Sequence, residues 1–134
     1  MAETIKILVV EPMEKPKLLE IEHTLENLQG LVGGYIQAVY PYDDPVALIC
    51  DDEAKLKGSA PNRMLVGEDG EPYELISGTF LITGLTRDDF GSLSEELAEK
   101  YMEMFRWPEL LMRTLDGHVL WIWMKPGEEP KVIV

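Results

Sequence analysis

Three of the chain's twelve basic side chains, Lys55, Lys57 and Arg63, fall within one short stretch, ICDDEAKLKGSAPNRML, of a sequence that is otherwise strongly acidic. Lys55 and Lys57 are two apart, so an extended backbone places both on one side. Arg63 follows the turn expected at Pro61, and Asn62 beside it offers both a donor and an acceptor. Arg supplies a planar fork and Lys a point charge, which together suit a phosphate. Gly78 and Thr79 would add backbone and hydroxyl donors if their strand lies beside this loop. The residues therefore sketch a site for a phosphorylated small ligand at Lys55, Lys57, Asn62, Arg63, Gly78 and Thr79. The plainer alternative is that Lys55 and Lys57 are solvated and Arg63 forms a structural salt bridge with Asp51 or Asp52.

Other chemistries have little to draw on. The two histidines, His23 and His118, and the one cysteine, Cys50, lack any zinc-ligand spacing. A carboxylate-only Mg²⁺ or Ca²⁺ site at Asp51, Asp52 and Glu53 is conceivable, but without EF-hand spacing. Neither GxSxG, a P-loop nor GxGxxG occurs. Adjacent pairs such as Asp51–Asp52 and Asp88–Asp89 would point to opposite faces of a strand, against a shared acid–base role. No enzyme, no cofactor and no metal are expected.

Composition bounds the partners. With 134 residues, 46% of them hydrophobic, the chain suits one domain with a buried core. A net charge of −13 repels nucleic acid and anionic membranes and favours a basic partner. A single cysteine fits a reducing bacterial cytosol, and Cys50 in the apolar run VALIC reads as a small buried residue. Neither a signal peptide nor a membrane span is expected: the runs at 5–10 and 119–124 are too short.

The elements that must position these residues follow from periodicity. TIKILVVEP and KLLEIEH read as a hairpin. Thr24 caps a helix carrying Leu25, Leu28, Leu31 and Val32, which Gly33–Gly34 stops; His23 sits at its entrance as a capping or surface residue. YIQAVYPY and VALICDD form a second hairpin around Asp43, Asp44 and Pro45. Residues 51–72 read as a long loop, and LISGTFLITGL as one strand bulged at Gly78. Ser94 caps a second helix reaching Phe105, with Leu97 and Tyr101 inward and Glu95, Glu96, Glu99 and Glu103 outward. After Pro108, LLMRTLDGHVLWIWM is a hairpin turning at Asp116–Gly117, followed by a short edge strand. The result is an α+β domain: a largely antiparallel sheet with the two main helices on one face, plus a C-terminal β-hairpin. Trp121 and Trp123 alternate with Leu120, Ile122 and Met124, so the hairpin suits a homodimer interface.

IKILVVEP, LENLQGLVGGYIQAV, ALICDDEAKLKGSAPNR and ISGTFLITGL occur in an order that resembles a family of small uncharacterised domains. That family, a domain of unknown function, belongs to phages and conjugative elements of Firmicutes, and the resemblance spans residues 4–105. The segment 106–134 lies outside it as an extension. The resemblance implies accessory cargo of mobile elements, travelling near antirestriction genes, and carries no established catalytic residues. Its matched positions of interest are Gly33, Gly34, Asn62, Arg63, Gly78 and Thr79. The combined expectation is a non-enzymatic counter-defence protein that sequesters a phosphorylated nucleotide. The alternatives are an acidic DNA mimic binding a basic host defence protein, and a plain assembly adaptor.

Overall fold

A computed structural model describes residues 3–134. In chain order the elements are β1 (Thr4–Val10), β2 (Lys17–Glu22), α1 (Leu25–Val32), β3 (Ile36–Val39), β4 (Val46–Asp51), β5 (Pro61–Val66) and β6 (Pro72–Ser77). They continue with β7 (Phe80–Leu85), β8 (Phe90–Gly91), α2 (Glu95–Met104), β9 (Glu109–Arg113), β10 (Val119–Trp123) and β11 (Lys131–Val132). The main sheet runs β2-β1-β7-β4-β3, with β8 added on β7, and every ladder in it is antiparallel. The α+β class with antiparallel sheets and a C-terminal hairpin is therefore as the sequence suggests.

The helices do not share a face. β1 sends Ile5, Ile7 and Val9 to one side, where Leu28 and Val32 of α1 cover them. Leu8 and Val10 point to the other side, against Ala98, Tyr101 and Phe105 at α2. The reason is written in the central strands. All six residues of β4 and the first five of β7 are buried, so both faces need a cover. Local capping proceeds as expected: the Thr24 side chain accepts from the Asn27 N–H at 3.1 Å, and that of Ser94 from the Leu97 N–H at 3.2 Å. Gly33, at φ +90°, ends α1.

Two segments differ from the sequence reading. The stretch 51–72 is not one loop: turns over 52–58 lead into β5, which pairs antiparallel with β6 as a separate two-stranded sheet. Nor is LISGTFLITGL one bulged strand. Its first half is β6 and its second half is β7, in different sheets. Gly78 makes the corner between them at φ +76°, a conformation costly for a side chain.

The C-terminal sheet, ordered β11-β10-β9, turns at Gly117 with φ +91°. Its register puts Glu109, Leu111, Trp121, Trp123 and Lys131 on one face, and Leu110, Met112, Leu120, Ile122 and Val132 on the other. The Trp face is turned inward, since Trp121 and Trp123 line a cleft with Met64 and Phe105.

Candidate functional site

Asn62 and Arg63 are the centre of a buried polar knot. A register shift in β5 between Pro61 and Arg63 lets both side chains turn inward. Asn62 is 1% exposed and Arg63 0%. Asn62 Nδ2 donates to the carbonyls of Val10 at 2.9 Å and Gly78 at 2.8 Å. Arg63 Nη1 donates to Asn62 Oδ1 at 2.8 Å. Its Nη2 donates to the Glu14 carbonyl at 2.7 Å and the Phe105 carbonyl at 2.8 Å. α2 has no basic residue in its last turn, and Arg63 supplies that charge from across the fold. Two side chains thus tie together the end of β1, the turn after it, the Gly78 corner and the end of α2.

Glu109 completes the knot. Its Oε1 accepts from the Met64 N–H at 2.8 Å and from Trp121 Nε1 at 2.7 Å, while Oε2 lies 4.0 Å from Arg63 Nε. At that distance Arg63 Nε makes no hydrogen bond. Burial dominates both charges: it lowers the Arg63 pKa and raises that of Glu109, although Met64, Trp121 and Arg63 all pull the Glu109 carboxyl back down. The carboxylate facing Arg63 is therefore Glu109, rather than Asp51 or Asp52.

The lysines are engaged elsewhere. Lys55 Nζ pairs with Glu74 at 3.1 Å. Lys57 Nζ donates to Asp51 Oδ2 at 2.7 Å and to the Gly33 carbonyl at 3.0 Å, closing the end of α1. Gly34 permits this approach, because a Cβ there would stand 2.5 Å from Lys57 Nζ and 2.8 Å from Asp51 Oδ1. Asp51 Oδ1 also accepts from the Glu53 N–H at 2.9 Å, so both Asp51 oxygens are already engaged within the chain. The Gly78 N–H goes to Ala60, and Thr79 is half-buried in the link to β7. Lys55 and Lys57 line two different clefts. The six residues are thus distributed through the supports of the β5–β6 hairpin rather than gathered around one open cavity.

The Lys57 hydrogen bond, helped by the Glu53 N–H, holds the Asp51 carboxyl below the usual range. A depressed carboxyl adds stability above the ordinary value of about 3.9 and loses it as pH falls through the folded value. Lys57→Met is expected to melt several degrees below the parent at neutral pH, with the gap narrowing as pH falls below about 4. Thermal melts across pH check this; a gap constant with pH would deny the pair its role.

Two larger clefts flank the knot. One, of about 520 Å³, includes Tyr40, Cys50, Asp52, Lys55, Tyr73 and Glu74 in its lining. The Cys50 thiol there is buried, and burial, then Asp51 and Asp52, push its pKa up, away from a nucleophilic thiolate. The other, of about 460 Å³, lies under the Trp121–Trp123 pair, whose near-parallel rings stand 6.4 Å apart. Sequence reasoning missed Glu109, Tyr40, Tyr73 and Glu74. Only Glu109 left a trace, as a lone carboxylate opening the apolar strand ELLM. Among the described residues no three His, Cys, Asp or Glu side chains converge as metal ligands, and no helix is long and apolar enough to cross a membrane.

Fold and site together define a small antiparallel α+β domain whose one basic stretch is neutralised by its own acceptors. The chain belongs to the family described as domain of unknown function DUF3846, whose model matches residues 5–106. No curated protein and no solved structure matches it. β9 to β11 lie beyond the matched residues, yet Glu109 and Trp121 reach back into the knot.

Proposed function

We propose that this is a non-enzymatic, cytosolic binding protein of a phage or mobile element, which meets a basic surface of a host defence protein through its own acidic one. The observation that carries this reading is the contrast between its charges. Lys55, Lys57 and Arg63 are all engaged internally, whereas Glu95, Glu96 and Glu99 on the outer side of α2 are exposed and enter no ion pair among the described residues. Such a face attracts a basic groove and contributes steering and specificity.

Sequestration of a nucleotide would need a cation free to meet phosphate; Arg63 is buried and Lys57 is tied to Asp51 and Gly33, which leaves Lys55, in an exposed pair with Glu74, to exchange its partner. Thermal unfolding against linear and cyclic nucleotides separates the two readings. A ligand at about 100 times its Kd would add roughly 2.7 kcal/mol and move the midpoint by several degrees. The expected result is no shift. A shift lost on Lys55→Ala would restore the phosphate site. In parallel, protection of a phage from host defence should disappear in the triple Glu95→Gln, Glu96→Gln, Glu99→Gln variant, with Tm lowered by only a few degrees through loss of two first-turn carboxylates. Protection that survives the triple variant would remove α2 from the reading.

A homodimer through the C-terminal sheet remains part of the proposal, on the face opposite the tryptophans. Leu110, Met112 and Val132 are exposed there beside Leu120 and Ile122.

A further inference from the structure

The cleft of about 520 Å³ is lined by Gln37 and Val39 of β3, Cys50 and Asp51 of β4, the turns at 52–58 and residues 73–77 of β6. Three large apolar side chains stand on its rim without cover: Tyr40 is 61% exposed, Leu56 87% and Tyr73 59%. Clustered exposed apolar groups mark an interaction surface, and tyrosine is enriched in such surfaces because it offers a rigid ring with a polar tip. The charged lining is Asp51, Asp52, Glu74 and Lys55, which leaves the cleft net negative. Lys57 already satisfies Asp51, and Lys55 shares Glu74; Asp52 enters no ion pair among the described residues.

The backbone beside the cleft adds a second, independent feature. β3 is the outermost strand of the main sheet. Alternate N–H and C=O groups of β3 therefore point away from β4 without a strand partner. Proteins usually guard such an edge with charge or proline. The opposite edge, β2, carries Lys17, Glu20 and Glu22, whereas β3 reads Ile-Gln-Ala-Val with neither device. β6 likewise pairs with β5 alone. Main-chain pairing and side-chain pockets are the two components of strand-addition recognition.

We infer that this cleft is a docking site for an extended, basic peptide segment of a partner protein. The segment adds to the free strand edge, places a Lys or Arg against Asp52 and Glu74, and rests apolar residues on Tyr40, Leu56 and Tyr73. Charge decides the occupant: an acidic or phosphorylated segment would meet Asp51, Asp52, Glu74 and the protein's −13 field. The assignment stands apart from the α2 face, since Glu95, Glu96 and Glu99 line no part of the cleft.

The test uses the full chain and a fluorescently labelled octapeptide of alternating Arg and Val, with a Glu–Val counterpart, followed by anisotropy at moderate salt. The Arg peptide is expected to bind and the Glu peptide not to. Tyr73→Ala and Asp52→Asn, both at exposed positions that leave the core intact, are each expected to weaken binding at least about tenfold, or ~1.4 kcal/mol. The triple α2 glutamine variant is expected to change it less than about threefold, or ~0.65 kcal/mol. Loss of binding equal in the α2 and cleft variants would reduce the effect to general charge attraction and overturn the site. Absence of Arg-peptide binding would overturn it directly. A dimer paired at β3, seen by sedimentation and not dissociated by the peptide, would give the edge to a second copy instead.

Discussion

Arg63→Ala is expected to lower the unfolding free energy by about 3–5 kcal/mol, the usual cost of removing one partner from a buried charged pair. The side chain is fully buried, and its three hydrogen bonds hold Asn62, the Glu14 turn and the end of α2. Removing it strands three acceptors and leaves the largely buried Glu109 carboxylate without a counter-charge, held only by its Met64 and Trp121 hydrogen bonds. In a domain of this size each kcal/mol moves Tm by roughly 3–5 °C, so a fall on the order of 10–25 °C is expected. Burial already holds the Glu109 carboxyl above its usual range. Protonation therefore relieves the stranded charge, and the defect should shrink as pH falls. Arg63→Met combined with Glu109→Gln should recover part of the loss, because Gln keeps an acceptor for Met64 and Trp121 without the charge. Urea unfolding of the single and double variants at two pH values decides this. An Arg63→Ala protein as stable as the parent would mean that the side chain is free to serve a ligand after all.

Phe80→Ala is expected to cost about 3–5 kcal/mol as well, by a different route. Phe80 opens β7 opposite Val10, fully buried, and meets the edge of Phe105 with ring centroids 5.2 Å apart at 77°. That contact joins the sheet to the end of α2, within the cluster that also holds Leu8, Leu48 and Tyr101. Truncation removes the ring and leaves a cavity that rigid strands cannot close. Phe80→Leu, which keeps most of the volume, should cost less than about 1.5 kcal/mol. Equal destabilisation by the two substitutions, read from denaturant midpoints, would contradict a volume-driven effect. The Phe80 ring carries no titratable group and makes no hydrogen bond, so its loss should vary with pH less than that of Arg63 does.

Much of this architecture was legible in the chain. Thr24 and Ser94 announced their helices because a hydroxyl followed by a helical apolar spacing satisfies free N–H groups locally. Asp116–Gly117 announced a hairpin because the turn needs a positive φ, found at Gly117. The exposed carboxylates of α2 could likewise be placed by periodicity. β5 was not legible, because two of its three buried side chains, Asn62 and Arg63, are polar and adjacent, and a pattern of apolar alternation does not register them. The split of β6 from β7 was hidden for a related reason: a glycine between two apolar runs marks a bulge and a corner alike.

The sequence by itself determined the α+β class, the antiparallel hairpins, the helix caps and the acidic surface, all properties set by neighbours a few residues apart. Tertiary structure alone decided which helix covers which face and what the basic stretch does. Arg63 looks available for phosphate when read beside Lys55 and Lys57. It is withdrawn from solvent because carbonyls 49 and 42 residues away, at Glu14 and Phe105, converge on its guanidinium. No local spacing encodes that convergence: it exists only once β1, β5 and α2 have packed and left a buried cation where their backbone acceptors need one.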